Sequence, residues 1–368
     1  MRIVFLINSL SSGGAEHQLV ELANGLSKLG YDITISTYTD VPDHYDCDHN
    51  IKRLRFAQGR TNLVKVFSMW WFFLTVKTDW VVGFGAGTGV FSILPLLFRS
   101  KKKVRSIAGE RCVLYTSPSK WKRLLNKLVY HRSDFVVPNS YAQGKQILED
   151  YPVMGKKVFT ITNYTDLNVF NFSLLPDGEI LRIGIFARYD EQKNCLRFVE
   201  AINQVVKTAK KKIVIEWYGD QTYKERQINS YYLKMKVKVE EYHLENYILL
   251  KDKIKNVSNA MLNFDAFCLP SLYEGFSNSL SEAICCGRPC LVSDVSDNGV
   301  MVKEGINGFL FDPLNVENMR DAFLKFLALN SKERQEMGNA SRKRAESLFD
   351  KSKFIEAYDN LFKSRILK

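Results

Sequence analysis

Glu274 and Glu282 have seven residues between them and lie in Pro270-Ser-Leu-Tyr-Glu274-Gly-Phe-Ser-Asn-Ser-Leu-Ser-Glu282-Ala-Ile-Cys-Cys-Gly287-Arg-Pro289. The apolar run Phe264–Leu269 ends at a proline, which predicts a buried parallel strand. Leu280, Ala283 and Ile284 then recur at helical spacing, Ser277 or Asn278 offers an N-cap, and Gly287 suits the C′ position before a second buried strand beginning at Cys290. The glutamates therefore belong to a loop and a helix at the carboxyl end of a parallel strand. Open α/β sheets bind ligands there, and the free N–H groups of a helix start attract phosphate. Carboxylates do not face phosphate directly, so Glu274 and Glu282 suit neutral hydroxyls on either side of an anion. Ribose, diphosphate and sugar follow one another in that order in a nucleoside diphosphate sugar. On spacing alone, two glutamates on a solvated helix remain an alternative.

Two further stretches place polar chemistry at the end of a strand. Gly13-Gly14-Ala15-Glu16 follows the first strand and opens the first helix, letting backbone come close to a bound group, with a simple strand-to-helix turn as the alternative. It is not Gly-x-Gly-x-x-Gly, so a dinucleotide site is disfavoured. Arg188 and Lys193, five apart after the strand Leu181–Phe186, suit a diphosphate, Arg188 as a fork and Lys193 as a point charge. A surface salt-bridge role is the plainer alternative for that pair.

The elements that must carry these residues alternate. Strands are predicted at Arg2–Ile7, Asp32–Thr37, Trp80–Phe84, Val104–Ile107, Phe135–Pro138 and Val158–Thr162, with helices at Gly14–Leu29, Leu63–Val76, Thr88–Phe98, Ser119–His131 and Ser140–Glu149. After a linker around Pro176-Asp177-Gly178 the alternation restarts. Strands are predicted at Leu181–Phe186, Ile213–Tyr218, Tyr247–Leu250, Phe264–Leu269, Cys290–Val292 and Phe309–Phe311. Helices are predicted at Cys195–Thr208, Tyr223–Tyr242, Val257–Asn263, around Glu282 and at Val316–Asn330, before a helical tail, Ser331–Lys368. Repeated strand–helix units imply parallel sheets covered on both faces, hence an α/β protein of two Rossmann-like domains.

The segment around Glu274 and Glu282 resembles the Glu-x7-Glu motif of the group 1 glycosyltransferases, the retaining family four with the GT-B fold. Ala187-Arg188-Tyr-Asp-Glu-Gln192-Lys193-Asn194 is similar to that family's Gly-Arg-Leu-x-x-x-Lys-Asn, with Ala187 where the family usually has glycine. The resemblance covers nearly the whole chain and implies two Rossmann-like domains facing across a cleft. The acceptor domain would be residues 1–170, the nucleotide-sugar domain 171–345, and a final helix, 346–368, would cross back to the first domain. It implies transfer of a hexose or N-acetylhexosamine from a nucleotide sugar donor. Arg188 and Lys193 would clamp the diphosphate, Glu282 would take the ribose and Glu274 the transferred sugar. Backbone of Gly275, Phe276, Ser277 and Asn278 would meet the distal phosphate. Gly13, Gly14 and Gly219 would approach the donor, while His17, Glu110 and Arg111 would lie near the acceptor. For Glu110 and Arg111, ion pairing between the domains is an equal alternative. After Asp294-Val295 the family often has Gly-Gly-x-x-Glu, whereas this chain has Ser296-Asp297-Asn298-Gly299-Val300.

Composition bounds the rest. The 368 residues exceed one ordinary core, and an apolar fraction of 46% is that of a folded globular protein. Seven scattered cysteines without a Cys-x-x-Cys pair read as reduced, buried thiols of a cytosolic protein. The histidines have no metal-ligand spacing, so no metal or other cofactor is implied. The longest apolar stretch, Val64–Val76, is short of the ~20 residues that span a bilayer. The net charge of +12 concentrates between Arg99 and Arg132, where Glu110 is the lone acid. With Trp70-Trp71-Phe72-Phe73, that run fits docking on an anionic membrane surface, at the cytoplasmic face, where a glycan or polyprenyl diphosphate-linked acceptor would be met, with an aromatic helix packed on its own sheet and a solvated basic face as the alternatives. Capsule or O-antigen assembly is the family's usual setting. A nucleotide-sugar epimerase of the same architecture would need no acceptor. A nucleic-acid-binding protein would account for the charge but not for the two glutamates, and none is expected to bind.

Overall fold

A computed structural model describes the chain except for residues 12, 57–60, 86, 100–103, 112–119, 210, 223–226 and 365–368. It divides into two compact units, one formed by Met1–Tyr164 with Lys351–Lys368, the other by Thr165–Asp350.

In the first unit the described elements are β1 (Arg2–Ile7), α1 (Gly14–Lys28), β2 (Asp32–Thr37), β3 (Lys52–Arg55), α2 (Asn62–Thr75), β4 (Trp80–Phe84), α3 (Thr88–Ser92), a 3₁₀ turn (Leu94–Phe98), β5 (Arg105–Glu110), α4 (Lys120–Arg132), β6 (Phe135–Pro138) and α5 (Tyr141–Asp150). The sheet is parallel with order β3-β2-β1-β4-β5-β6. The strands β1 and β4 are apolar almost without interruption because helices cover both faces. One face packs Phe5, Ile107 and Val137 against α1 and the last helix of the chain. The opposite face packs Val4, Leu6, Val81, Ala108 and Val136 against α2, the 3₁₀ turn and α4.

The second unit runs β7 (Leu181–Phe186), α6 (Cys195–Thr208), β8 (Ile213–Gly219), α7 (Ser230–Glu241), β9 (Ile248–Asp252), α8 (Val257–Met261), β10 (Ala266–Leu269), α9 (Asn278–Cys285), β11 (Cys290–Ser293), α10 (Asn298–Met301), β12 (Gly308–Phe311), α11 (Val316–Ala328) and α12 (Ser331–Leu348). Its parallel sheet has the order β12-β11-β10-β7-β8-β9. Counted from the first strand of each unit this is the same winding, with the strand order reversing between β1 and β4 in one sheet and between β7 and β10 in the other. Helix α13 (Lys351–Lys363) closes the chain, placing Phe354, Tyr358, Leu361 and Phe362 in the core of the first unit.

Several elements differ from the sequence pattern. The edge strand β3, Lys-Arg-Leu-Arg, is half-exposed and carries no apolar run, so periodicity does not find it. The predicted helix Thr88–Phe98 breaks at Ile93, where Pro95 enters the following turn and cannot donate the hydrogen bond a continuing helix needs. The predicted strand Val158–Thr162 runs beside β6 and bonds it (Phe159 N to Val136 O 3.0 Å, Ile161 N to Pro138 O 3.1 Å), yet only Val158 forms a bridge. Pro138 has no N–H to complete that ladder. The helix predicted from Tyr223 begins at Ser230, capped by Asn229, and residues 223–226 lie outside the described residues. The tail is two helices, and α12 starts with a capping box of Asn330 and Glu333.

The basic run also divides. Arg99 donates to the carbonyls of Phe73 and Val76 at 3.0 and 2.9 Å, and Arg132 to that of Leu96 at 2.8 Å. Arg105 lies 4.1 Å over the Trp80 ring. These cations brace the first unit from inside rather than coat it, whereas Lys120, Lys122, Arg123 and Lys127 of α4 are exposed. The predicted Lys101, Lys102 and Lys103 fall outside the described residues. Of the aromatic block, Trp71 is exposed and Phe73 buried.

Candidate active site

At the carboxyl ends of β7 and β10, beside the point where the strand order reverses, the second unit gathers most of the residues singled out above. After β7 the chain turns at Asp190, whose carboxylate accepts from Lys193 N at 3.0 Å. Asn194 takes a left-handed φ of 58° before α6 and donates to Pro313 O at 2.7 Å. This turn sets Lys193 against the loop after β10, and Lys193 Nζ meets Glu274 Oε1 at 2.5 Å. Both side chains are largely buried, 13% and 8% exposed, whereas Arg188 is 65% exposed and held by Asp190 (3.1 Å) and Gln192 (3.2 Å). Burying Lys193 and Glu274 is tolerable because each neutralises the other.

Two residues that the motifs do not flag hold this geometry. Gln192 donates to Tyr273 O at 2.9 Å and accepts from Leu272 N at 2.8 Å, lacing the β7 loop to the β10 loop. Ser296 donates to Glu274 O at 2.5 Å and accepts from Glu274 N at 3.3 Å, with φ of 51°. A positive φ favours glycine, which the resembling family often has here. Serine accepts the strained backbone and uses its hydroxyl to fix Glu274. The departure from the family pattern is the signal for Ser296; for Gln192 no spacing rule offers one.

Helix α9 begins at Asn278, and Gly287 follows it with φ of 72°. No side chain caps its first turn and no acid lies in it, because Ser277 Oγ is hydrogen-bonded to Asn298 Oδ1 at 2.7 Å instead. Its N-terminal dipole is therefore open to an anion beside Gly275 and Phe276. One turn in, the Glu282 carboxyl has no hydrogen-bond partner among the described residues, and burial pushes it up to about 8. Gly219 ends β8 so close to Ala187 O and the Tyr189 ring that a Cβ would collide with them. Beyond it, a groove of about 660 Å³ is lined by Arg188, Asp190, Asp220, Asn229, Asp252 and Lys253.

The remaining candidates sit in the first unit. Gly13 is the N-cap residue of α1, where Glu16 folds back over it, and burial raises the Glu16 carboxyl. His17 lies 5.2 Å from the Tyr45 ring. Glu110 ends β5 in a cavity of about 320 Å³ lined by Val90, Phe91, Leu125 and Asn126. Burial pushes its carboxyl up to about 7, against the opposing pull of the Tyr130 hydroxyl and the Arg111 charge. Arg111 is buried, bonded to Tyr358 and, at 3.2 Å, to Asn163 Oδ1, with its guanidinium 4.0 Å over Phe84. The structure thus gives Arg111 partners inside its own unit. Ser140 caps α5 through Gln143 N at 3.1 Å. Among the described residues no group of three metal-ligating side chains assembles, and no helix is long and apolar enough to cross a membrane.

Two Rossmann-like units, with a lysine–carboxylate pair and an uncapped helix start where the second sheet reverses, define a protein of the GT-B class. The solved structures most like it include a glycosyltransferase from Rickettsia africae (TM-score 0.80, 17% identity, 98% of this chain and 97% of that one). Another is Anabaena HepE in complex with UDP and glucose (TM-score 0.79, 17% identity, 99% of this chain and 100% of that one). In sequence, residues 12–169 match Glycosyltransferase Family 4 and residues 170–344 match Glycosyl transferases group 1. The chain is also similar, at 25% identity over 96% of both chains, to a Campylobacter jejuni N-acetylgalactosamine-N,N'-diacetylbacillosaminyl-diphospho-undecaprenol 4-alpha-N-acetylgalactosaminyltransferase. The chain belongs to the group 1, family four glycosyltransferases.

Proposed function

We propose that this glycosyltransferase moves a hexose or N-acetylhexosamine, with retention at the anomeric carbon, from a nucleoside diphosphate sugar to a polyprenyl diphosphate-linked glycan in bacterial surface polysaccharide assembly. The observation that carries the reading is the Lys193–Glu274 pair at the reversal point of the second sheet. The two neutralise each other. With donor bound, Lys193 and the exposed fork of Arg188 take the diphosphate, and Glu274 turns its free oxygen to the sugar hydroxyls. The N-terminus of α9 receives the distal phosphate and Glu282 the ribose. As the glycosidic bond breaks, negative charge grows on the departing diphosphate, and these preorganised cations and dipoles stabilise it.

In the first unit, Glu110 accepts a hydrogen bond from the acceptor hydroxyl and fixes its direction, which is worth far more than random encounter. Two relatives from Campylobacter jejuni act on undecaprenyl-linked sugars by name, which supports a lipid-linked acceptor, met with the first unit docked at the cytoplasmic face of an anionic membrane. No metal takes part in this reading. The experiment is transfer of labelled sugar from a panel of nucleotide sugars to a polyprenyl diphosphate-linked saccharide, with and without EDTA. A labelled lipid product with an α linkage from an α donor, formed equally with EDTA, is expected. Conversion of the nucleotide sugar to its epimer without transfer, or abolition of transfer by EDTA, would overturn it.

A further inference from the structure

Serine is preferred at the start of a helix because its hydroxyl oxygen accepts from a backbone N–H of the first turn. Ser277 holds that position in α9 and makes no such bond. Its hydroxyl donates instead to Asn298 Oδ1 at 2.7 Å, and the direction is fixed because an amide oxygen only accepts. The amide of Asn298 is held in turn, since its Nδ2 donates to Ser293 O at 2.9 Å. Ser277, Ser293 and Asn298 are all buried, so bulk water does not compete for these bonds.

Asn298 lies two residues beyond Ser296, in the stretch that departs from the Gly-Gly-x-x-Glu pattern. Together the two side chains grip one loop at both ends: Ser296 holds the backbone of Glu274, and Asn298 holds the hydroxyl of Ser277. Asn298 begins α10, so Ser277 is tied to an element outside its own helix. Released from that tie, Ser277 can rotate about its Cα–Cβ bond and cap the N–H of Ser279 or Leu280. Those are donors that a phosphate at the helix start would use.

We infer that Asn298 is a positioning residue for the donor: by holding the Ser277 hydroxyl away from α9, it keeps the first-turn N–H groups for the distal phosphate, whose seat there is taken from the proposed function. Asn298 acts through Ser277, by removing a competitor. A cap and a phosphate draw on the same N–H groups, so the strength of the cap is subtracted from the affinity for the phosphate. A serine cap corresponds to about fivefold in affinity.

The test is isothermal titration of the whole chain with UDP, GDP, ADP and dTDP, each beside its monophosphate, joined to hydrogen exchange of the Ser279 and Leu280 amides. In the wild type these amides are expected to exchange freely without nucleotide and to be protected by the diphosphate that binds. Asn298→Ala is expected to lower affinity for that diphosphate about fivefold and to leave affinity for its monophosphate unchanged. Asn298→Leu, close in volume, should do the same with the core still filled. Adding Ser277→Ala to either variant should restore the lost affinity, because the competing hydroxyl is gone. Without nucleotide, the two amides should exchange more slowly in Asn298→Ala than in the wild type, the opposite of what loosening a structural bond does. Equal losses for diphosphate and monophosphate, no recovery with Ser277→Ala, or faster exchange would overturn the inference. So would amides that are already protected in the wild type without nucleotide, whatever the variants do. A wild type that binds none of the diphosphates would overturn the proposed donor site and this inference with it, whereas binding that ignores Asn298 overturns this inference alone.

Discussion

Replacing Glu282 by glutamine is expected to stabilise the second unit at about pH 9, to leave it unchanged at about pH 4, and to weaken donor binding. Burial pushes this carboxyl from an ordinary 4.5 up to about 8, and nothing among the described residues bonds it. A carboxyl whose folded pKa is raised holds its proton more tightly when folded. Stability is therefore lost as pH climbs from about 4.5 through about 8. Taken at full strength a move of that size is worth about 5 kcal/mol. The side chain is only half-buried and partly screened by water, which reduces the figure to about 1–2 kcal/mol. Glutamine is nearly isosteric with the protonated acid, so the two proteins should melt together at about pH 4, where the carboxyl is protonated in both the folded and the unfolded chain. At about pH 9 glutamine avoids the buried charge and should melt a few degrees higher, at ~2–4 °C per kcal/mol for a domain of this size. If Glu282 receives the ribose hydroxyls, the same variant should bind the nucleoside diphosphate about tenfold to a hundredfold more weakly. Calorimetric unfolding at the two pH values, with titration of the nucleotide, measures both. A melting difference of the same size at both pH values, together with unchanged nucleotide affinity, would refute the reasoning.

Three other outcomes follow from the same geometry. Glu274→Ala should lower turnover by about a thousandfold or more and leave Lys193 as an uncompensated buried cation. Lys193→Ala should lower turnover similarly, and the double variant should be less destabilised than the sum of the singles, as a double-mutant cycle by denaturant unfolding would show. Glu110 should receive the acceptor better as pH rises through about 7, so acceptor KM should fall across that range in the wild type and stay flat in Glu110→Gln. Gly219→Ala should cost about 1–3 kcal/mol in urea unfolding, because the new methyl meets the Ala187 carbonyl, which belongs to backbone and cannot swing aside.

Much of this was legible in the sequence because continuous apolar runs such as Val-Phe-Leu-Ile in β1 and Ala-Phe-Cys-Leu in β10 admit little besides buried parallel strands. The loop chemistry was legible for a related reason: Glu274, Arg188 and Lys193 directly follow such runs. What escaped is what periodicity cannot encode. Strand β3 is an exposed edge whose pairing with β2, not its composition, makes it a strand. The direction of the basic run escaped too, since a guanidinium that reaches a carbonyl, like Arg132 to Leu96, looks in sequence like one that faces solvent. Gln192 and Ser296 act through backbone contacts across loops far apart in the chain, which one-dimensional spacing does not show.

The two sheets share one winding, so winding cannot say which unit takes the diphosphate; the helix starts can. In the first unit, α1 has an acid in its first turn, and the Glu16 side chain already folds over the Gly13 end of the helix. An incoming diphosphate would meet a carboxyl there, and ionising that carboxyl would oppose it. In the second unit, α9 has neither an acid nor a side-chain cap in its first turn, and Lys193 stands at the neighbouring strand end. A doubly charged leaving group is thus favoured by both the dipole and the cation in one unit and disfavoured by a carboxyl in the other. Moving the acid tests this: Glu16→Gln should leave nucleotide affinity unchanged in isothermal titration, whereas Ser279→Asp, which sets an acid in the first turn of α9, should reduce it about tenfold or more. Equal effects of the two substitutions would mean that the helix start of α9 does not select the diphosphate.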